Sequence, residues 1–146
     1  MGCSGSRKVV PTPGSPHPEV RLIHPPLPAA GLNDLLLFFC GRRRLMRVEG
    51  RSMWPTLSPG DRVLLRPLQS NADLPERGSI VVTRHPHRPD QRLIKRLVDV
   101  DEHESMLLLG DHPDQSTDSR QFGPIARGFL IGAVTNVIRQ PQLEKR

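Results

Sequence analysis

Aromatic residues are scarce in this chain: among its 146 residues there is no tyrosine, one tryptophan (Trp54) and four phenylalanines. Proteins that grip single-stranded nucleic acid stack bases on aromatic rings inside a basic groove. The net charge of +6 therefore comes without the second half of that signature. The basic residues are also dispersed, apart from Arg42, Arg43, Arg44 and Arg47. No nucleic-acid partner is expected, and the charge leaves an acidic partner or an anionic membrane surface open.

Cysteine is nearly absent too. Cys3 and Cys40 cannot build a disulfide framework, no C-x-x-C pair exists, and a reducing, cytoplasmic location is the simpler inference. His85-Pro86-His87 is the best local metal candidate, but it lacks a recognised ligand spacing. No metal and no cofactor are expected.

Long apolar runs are missing as well. Leu35 to Cys40 (LLLFFC) is far short of the roughly 20 residues needed to span a bilayer, and the start MGCSGSRKVV carries no apolar region of export-signal length. The run reads first as a buried helical turn or strand. Arg42 to Arg44, one residue beyond it, give the alternative of a peripheral, non-spanning membrane contact.

Proline, in contrast, is plentiful and clustered: seven of sixteen lie before residue 29, among few large apolar residues, so residues 1–31 read as a disordered tail. Residues 32–146 are then one compact domain. Asn33 is placed to cap a short helix over Leu35 to Cys40, with Gly41 to end it. Beyond it, short β-branched and aliphatic runs alternate with turn formers. They predict strands over Leu45 to Glu49, Asp61 to Leu65, Ser79 to Arg84, Gln91 to Val100, Ser105 to Leu109 and Phe129 to Ile138, a mainly β fold.

Three segments carry chemistry. In Gly50-Arg51-Ser52-Met53-Trp54-Pro55-Thr56-Leu57, Gly50 can adopt backbone angles closed to other residues and Pro55 disfavours the helical region for Trp54, so Ser52 sits on a tight, non-helical bend between strands. A serine there usually serves the turn itself; as a nucleophile it needs a base within reach. In Arg92 to Val98, strand alternation puts Leu93, Lys95 and Leu97 on one face. A lysine desolvated among leucines can be held neutral and accept a proton, whereas one at a strand edge would snorkel to water. The third segment, Gly110 to Gly123, is an Asx- and Ser-rich loop with a candidate Asp118–Arg120 ion pair.

Together, Ser-Met-x-Pro-Thr-Leu, Gly-Asp-x-Val, Lys-Arg and Gly-Asp…Ser-x-Asp-Ser-Arg-x-x-Gly, in that order over residues 46 to 135, resemble the type I signal peptidase family of serine/lysine proteases. The resemblance implies the signal-peptidase-like catalytic β-fold shared with self-cleaving repressors. It makes Ser52 the nucleophile, Lys95 the general base, Ser116 the hydroxyl that orients the lysine, and Asp118 with Arg120 a supporting ion pair. The Ser52 backbone N–H becomes an oxyanion donor. Some relatives place a serine hydroxyl two positions before the nucleophile, where this chain has Gly50, and His112 stands where Asn often follows Gly-Asp. The wording SMWPTLSPGDRVLL is most similar to proteases that mature nickel-type superoxide dismutase. The resemblance therefore implies a precursor protein as partner, narrowly the nickel superoxide dismutase proprotein and more broadly any leader-bearing protein. A self-cleaving repressor would need a DNA-binding module, which the Pro-rich tail does not offer. A non-catalytic peptide-binding module is the remaining class.

Overall fold

The computed structural model describes residues 26–141, so the tail expectation for residues 1–25 lies outside the described residues. Seven strands form one antiparallel sheet: β1 (Arg44–Arg47), β2 (Arg62–Pro67), β3 (Ile80–Arg84), β4 (Arg92–Val100), β5 (Ser105–Leu109), β6 (Ile125–Ala126) and β7 (Leu130–Ile138). Their spatial order is β1-β2-β7-β3-β4-β5-β6. Six of them are the strands expected from the sequence, with ends moved by a residue or two. The seventh, β6, is a two-residue strand paired with Ser105 and Met106, too short to have a readable period. The fold is mainly β, as expected.

The sheet buries both faces, which is why β4 runs from Ile94 to Leu97 without an exposed residue. On one face Val63, Leu65, Ile80, Val82 and Ile94 pack with Val134 and Val137. On the other, Val81, Leu97, Met106, Leu108 and Ile125 form a second cluster, with Leu93 against it. Period-2 alternation assigns Lys95 to this second face, directly opposite Val81 in the β3–β4 register. Each fully buried aliphatic side chain contributes about 1.5–3 kcal/mol, so the two clusters fix β4 firmly at the position the lysine occupies.

The short helix α1 spans Leu32–Phe39, and here the structure corrects two expectations. Its N-cap is Gly31, whose N–H is bonded to the Asp34 carboxylate at 2.9 Å. Asn33 lies inside the helix, because the acid three residues after Gly31 supplies the reciprocal bond. The helix is also not core: none of its residues is buried, and Leu32, Leu36 and Phe39 are 85%, 63% and 80% exposed. An apolar run in sequence cannot by itself distinguish a packed segment from one held at the surface. The C-terminal end follows expectation. Gly41 has φ +73°, and the Arg42 N–H bonds back to the Leu37 carbonyl, a closure that a left-handed residue permits.

Residues 26–31, assigned to the tail from sequence, meet the sheet. Leu27 packs on the first cluster, and the Pro28 carbonyl accepts the Val137 N–H at 3.1 Å.

Candidate active site

The turn bearing Ser52 is nailed down from within. Between β1 and β2, Met53 and Leu57 are 2% and 0% exposed and enter the first apolar cluster, four residues apart and joined by a Leu57 N–H to Met53 carbonyl bond of 2.9 Å. Gly50 takes φ +73°, as the bend requires, and the Trp54–Pro55 bond is cis. Downstream, buried Asp61 accepts the Ser58 N–H at 3.0 Å and the Gln140 N–H at 3.1 Å. The Asp of the Gly-Asp-x-Val block thereby ties the end of this turn to the residues after β7. The Ser52 N–H and hydroxyl make no hydrogen bond among the described residues, and Gly50 has no side chain to add a donor.

Lys95 is 4% exposed. Its Nζ donates to Ser116 Oγ at 3.1 Å, and the Ser116 hydroxyl donates to Asp118 Oδ2 at 2.7 Å. A hydroxyl has one proton; with that proton spent on Asp118, Ser116 can only accept from the lysine. Burial pulls the Lys95 amine down from 10.5 to about 8, with the nearby Arg120 cation acting the same way and the Asp118 anion opposing. At pH 7 a group of pKa 8 is neutral in roughly one molecule in ten, against fewer than about one in a thousand for an ordinary lysine. A neutral amine that donates one N–H to Ser116 keeps a lone pair with which to take a proton.

Asp118 organises the loop. It caps α2 (Ser119–Phe122), accepting the Arg120 N–H while its own N–H goes to Gln121. Its carboxylate takes the Arg120 guanidinium bidentately at 2.9 and 2.6 Å and the Gly110 N–H at 2.8 Å. Burial would raise this carboxyl, but the bonds from Arg120, Gly110 and Ser116 outweigh burial and hold it well below the usual range. The ion pair read from the sequence is therefore present, and Ser116 links it to Lys95.

The meeting of the Ser52 turn with this loop was not legible in the sequence. The His112 N–H donates to the Ser52 carbonyl at 2.9 Å. At Gly110, a Cβ would stand 2.1 Å from Ser116 Oγ and 2.6 Å from the Ser52 carbonyl oxygen, so the missing side chain is what allows the two segments to touch beside Lys95. A second tie runs through Asp111, which accepts Arg96 Nε and Nη2 at 2.8 and 2.6 Å and the Thr56 hydroxyl at 2.6 Å. Arg96, 6% exposed, also donates to the Gly78 carbonyl. Thr56, Arg96 and Asp111 each lie within a motif block, but their separations of 55 and 15 residues give no local signal of pairing.

Among known proteins, the family described as signal peptidase, peptidase S26, matches residues 27–101. The mouse mitochondrial inner membrane protease subunit 2 is 33% identical over 121 residues, covering 68% of this chain and 69% of that protein. The bovine protein of the same name is 32% identical over 117 residues, covering 66% of each chain. The Arabidopsis thaliana mitochondrial ATP-independent inner membrane protease subunit 1b is 35% identical over 107 residues, covering 58% of this chain and 63% of that one. The chain thus spans about two thirds of the length of these relatives.

Proposed function

The chain belongs to the signal peptidase family, peptidase S26, and is a serine protease of that type; from this premise we propose that it removes N-terminal leaders from precursor proteins with Ser52 as nucleophile and Lys95 as general base. The observation that carries the proposal is the buried Lys95 amine, bonded to Ser116 in a loop whose His112 N–H holds the Ser52 turn. Ser52 Oγ attacks the scissile carbonyl while its proton passes to Lys95 Nζ. The Ser52 N–H, free of other partners among the described residues, receives the oxyanion. Collapse expels the amine of the new N-terminus, which takes the proton from Lys95. Water then hydrolyses the acyl-enzyme with Lys95 again as base.

The substrate lies extended. On the β5 side, β4 is paired only from Arg96 onward, so among the described residues Arg92 to Lys95 offer an open edge running into the lysine, where a peptide can add as a strand.

General leader removal fits the relatives better than the narrower nickel superoxide dismutase reading, which they do not support. That precursor remains one substrate to assay. A cytoplasmic location likewise draws no support from relatives named as inner membrane proteases. No described helix is long and apolar enough to cross a membrane. The proposal includes peripheral contact through α1 on a positive observation: its exposed Leu32, Leu36 and Phe39 precede Arg42 to Arg44, a pairing suited to an anionic bilayer surface. Sedimentation with anionic vesicles, lost in Leu36→Glu/Phe39→Glu, checks it.

The deciding experiment incubates the chain with leader-bearing precursors, the nickel superoxide dismutase proprotein and an inner-membrane-type precursor among them, and reads the product N-terminus by mass. Ser52→Ala, Lys95→Ala and Lys95→Arg should each lower cleavage by about 10³-fold or more while leaving the circular dichroism spectrum intact. A guanidinium stays charged and cannot serve as base. Cleavage retained in any of the three ends the proposal.

A further inference from the structure

Trp54, the only tryptophan of the chain, is 49% exposed two residues from Ser52. The turn sends its other large apolar side chains, Met53 and Leu57, fully inward. Exposing a large ring on this turn gains nothing in folding, since an aromatic side chain contributes by leaving water. The ring is not isolated. The His112 imidazole packs edge-on against it, with centroids 5.7 Å apart and planes at 75°, and the same residue's N–H holds the Ser52 carbonyl. His112 Nδ1 is shielded from solvent and has no hydrogen-bond partner among the described residues. Among the described residues no protein group bonded at that nitrogen fixes the imidazole, and the indole is its ring neighbour.

We propose that Trp54 and His112 form an aromatic wall beside Ser52 that binds a bulky apolar side chain, aliphatic or aromatic, of a substrate residue within two positions of the scissile bond. Two flat π surfaces meeting edge to face leave an apolar corner that such a side chain fills. A rigid ring is the kind of anchor that recognises a partner at low entropic cost. A cationic side chain would also find π faces, but the exposed Arg51 next to Ser52 repels it. A carboxylate would have to shed water against an indole. The corner selects by shape and apolarity, and it uses two residues for which the dyad chemistry has no need.

This inference rests on the proteolytic reading, and the test separates the two. The sole tryptophan makes the wall its own reporter. The full chain carrying Ser52→Ala, which binds without turnover, is titrated with N-acetylated, C-amidated octapeptides bearing Phe, Leu, Ala, Glu or Lys at one position at a time, and Trp54 emission is followed. At one position Phe or Leu should shift the emission to the blue and bind at least about tenfold more tightly than Ala, Glu or Lys, the scale expected of an apolar subsite. His112→Ala in that background should cut the preference below about threefold. His112→Asn, which keeps the backbone N–H to Ser52 but lacks the ring, should do the same. In the Ser52-intact enzyme, Trp54→Ala should flatten the kcat/KM profile at that position while cleavage of Ala-substituted peptides persists. Equal binding of all peptides, or a preference that survives both His112 variants, overturns the wall. Loss of cleavage in the Ser52-intact enzyme for every precursor overturns the proteolytic reading instead, and the emission titration still reports on the corner.

Discussion

Lys95 and Asp118 share no hydrogen bond, yet a single hydroxyl joins them. Ser116 donates to Asp118 at 2.7 Å and accepts from Lys95 at 3.1 Å. Because Asp118 is locked as an anion by Arg120 and Gly110, the Ser116 proton is committed, and the direction of the lysine's N–H follows. The carboxylate thus orients the amine without sitting next to it, where its pull toward the charged form would be stronger.

The lowered Lys95 amine makes leader cleavage depend on pH. An amine at about 8 is protonated below that pH, so with Lys95 as the proposed base kcat/KM for leader cleavage should rise about tenfold per unit from pH 6 to 7 and level off above about 9. The pH–rate profile of a leader-bearing precursor measures it. A rate that is flat across this range contradicts Lys95 as base.

Stability should show the opposite face of the same burial. The folded state holds the Lys95 proton less tightly than the unfolded chain does, where the amine sits near 10.5. The cost to folding is therefore complete below pH 8, shrinks between 8 and 10.5, and is gone above. Lys95→Met, of similar length and without charge, should stabilise the fold at pH 7 by up to roughly 3 kcal/mol. Urea unfolding at pH 7 and pH 10.5 checks both the gain and its disappearance.

Ser116 and Asp118 separate function from stability. Ser116→Ala leaves Asp118 its bonds from Arg120 and Gly110, so stability should change little, while cleavage should fall about 10²-fold as the amine loses its anchor. Asp118→Asn removes the charge that pairs Arg120, whose side chain is 40% exposed. It should destabilise the fold by roughly 2 kcal/mol, less than a fully buried pair would lose. The depressed Asp118 carboxyl contributes stability that is full above its ordinary 3.8 and lost as pH falls below it. Wild type and Asp118→Asn should therefore converge in stability on acidification.

Gly110→Ala tests the contact between the two segments. Its Cβ would meet Ser116 Oγ at 2.1 Å and the Ser52 carbonyl at 2.6 Å, and backbone cannot yield cheaply. A loss of roughly 2–3 kcal/mol is expected, together with a fall in kcat larger than any change in KM. Thermal melts and steady-state kinetics read the two effects.

Much of this was legible along the chain because the relevant physics is local. Alternation placed Lys95 with Leu93 and Leu97; turn formers bounded six strands; the Asp118–Arg120 pair is two residues apart. The short β6 and α2 lacked the length to show a period, and the apolar run of α1 gave no clue that it lies at the surface.

What the sequence alone determined is the set of local preferences: which residues alternate, where the chain turns, and which titratable groups fall among apolar neighbours. The tertiary structure decided which of those places meet. His112 reaches Ser52, Arg96 and Thr56 share Asp111, and Gly110 clears the space between two loops because the sheet's register brings distant segments together, and no local pattern encodes the distance between them.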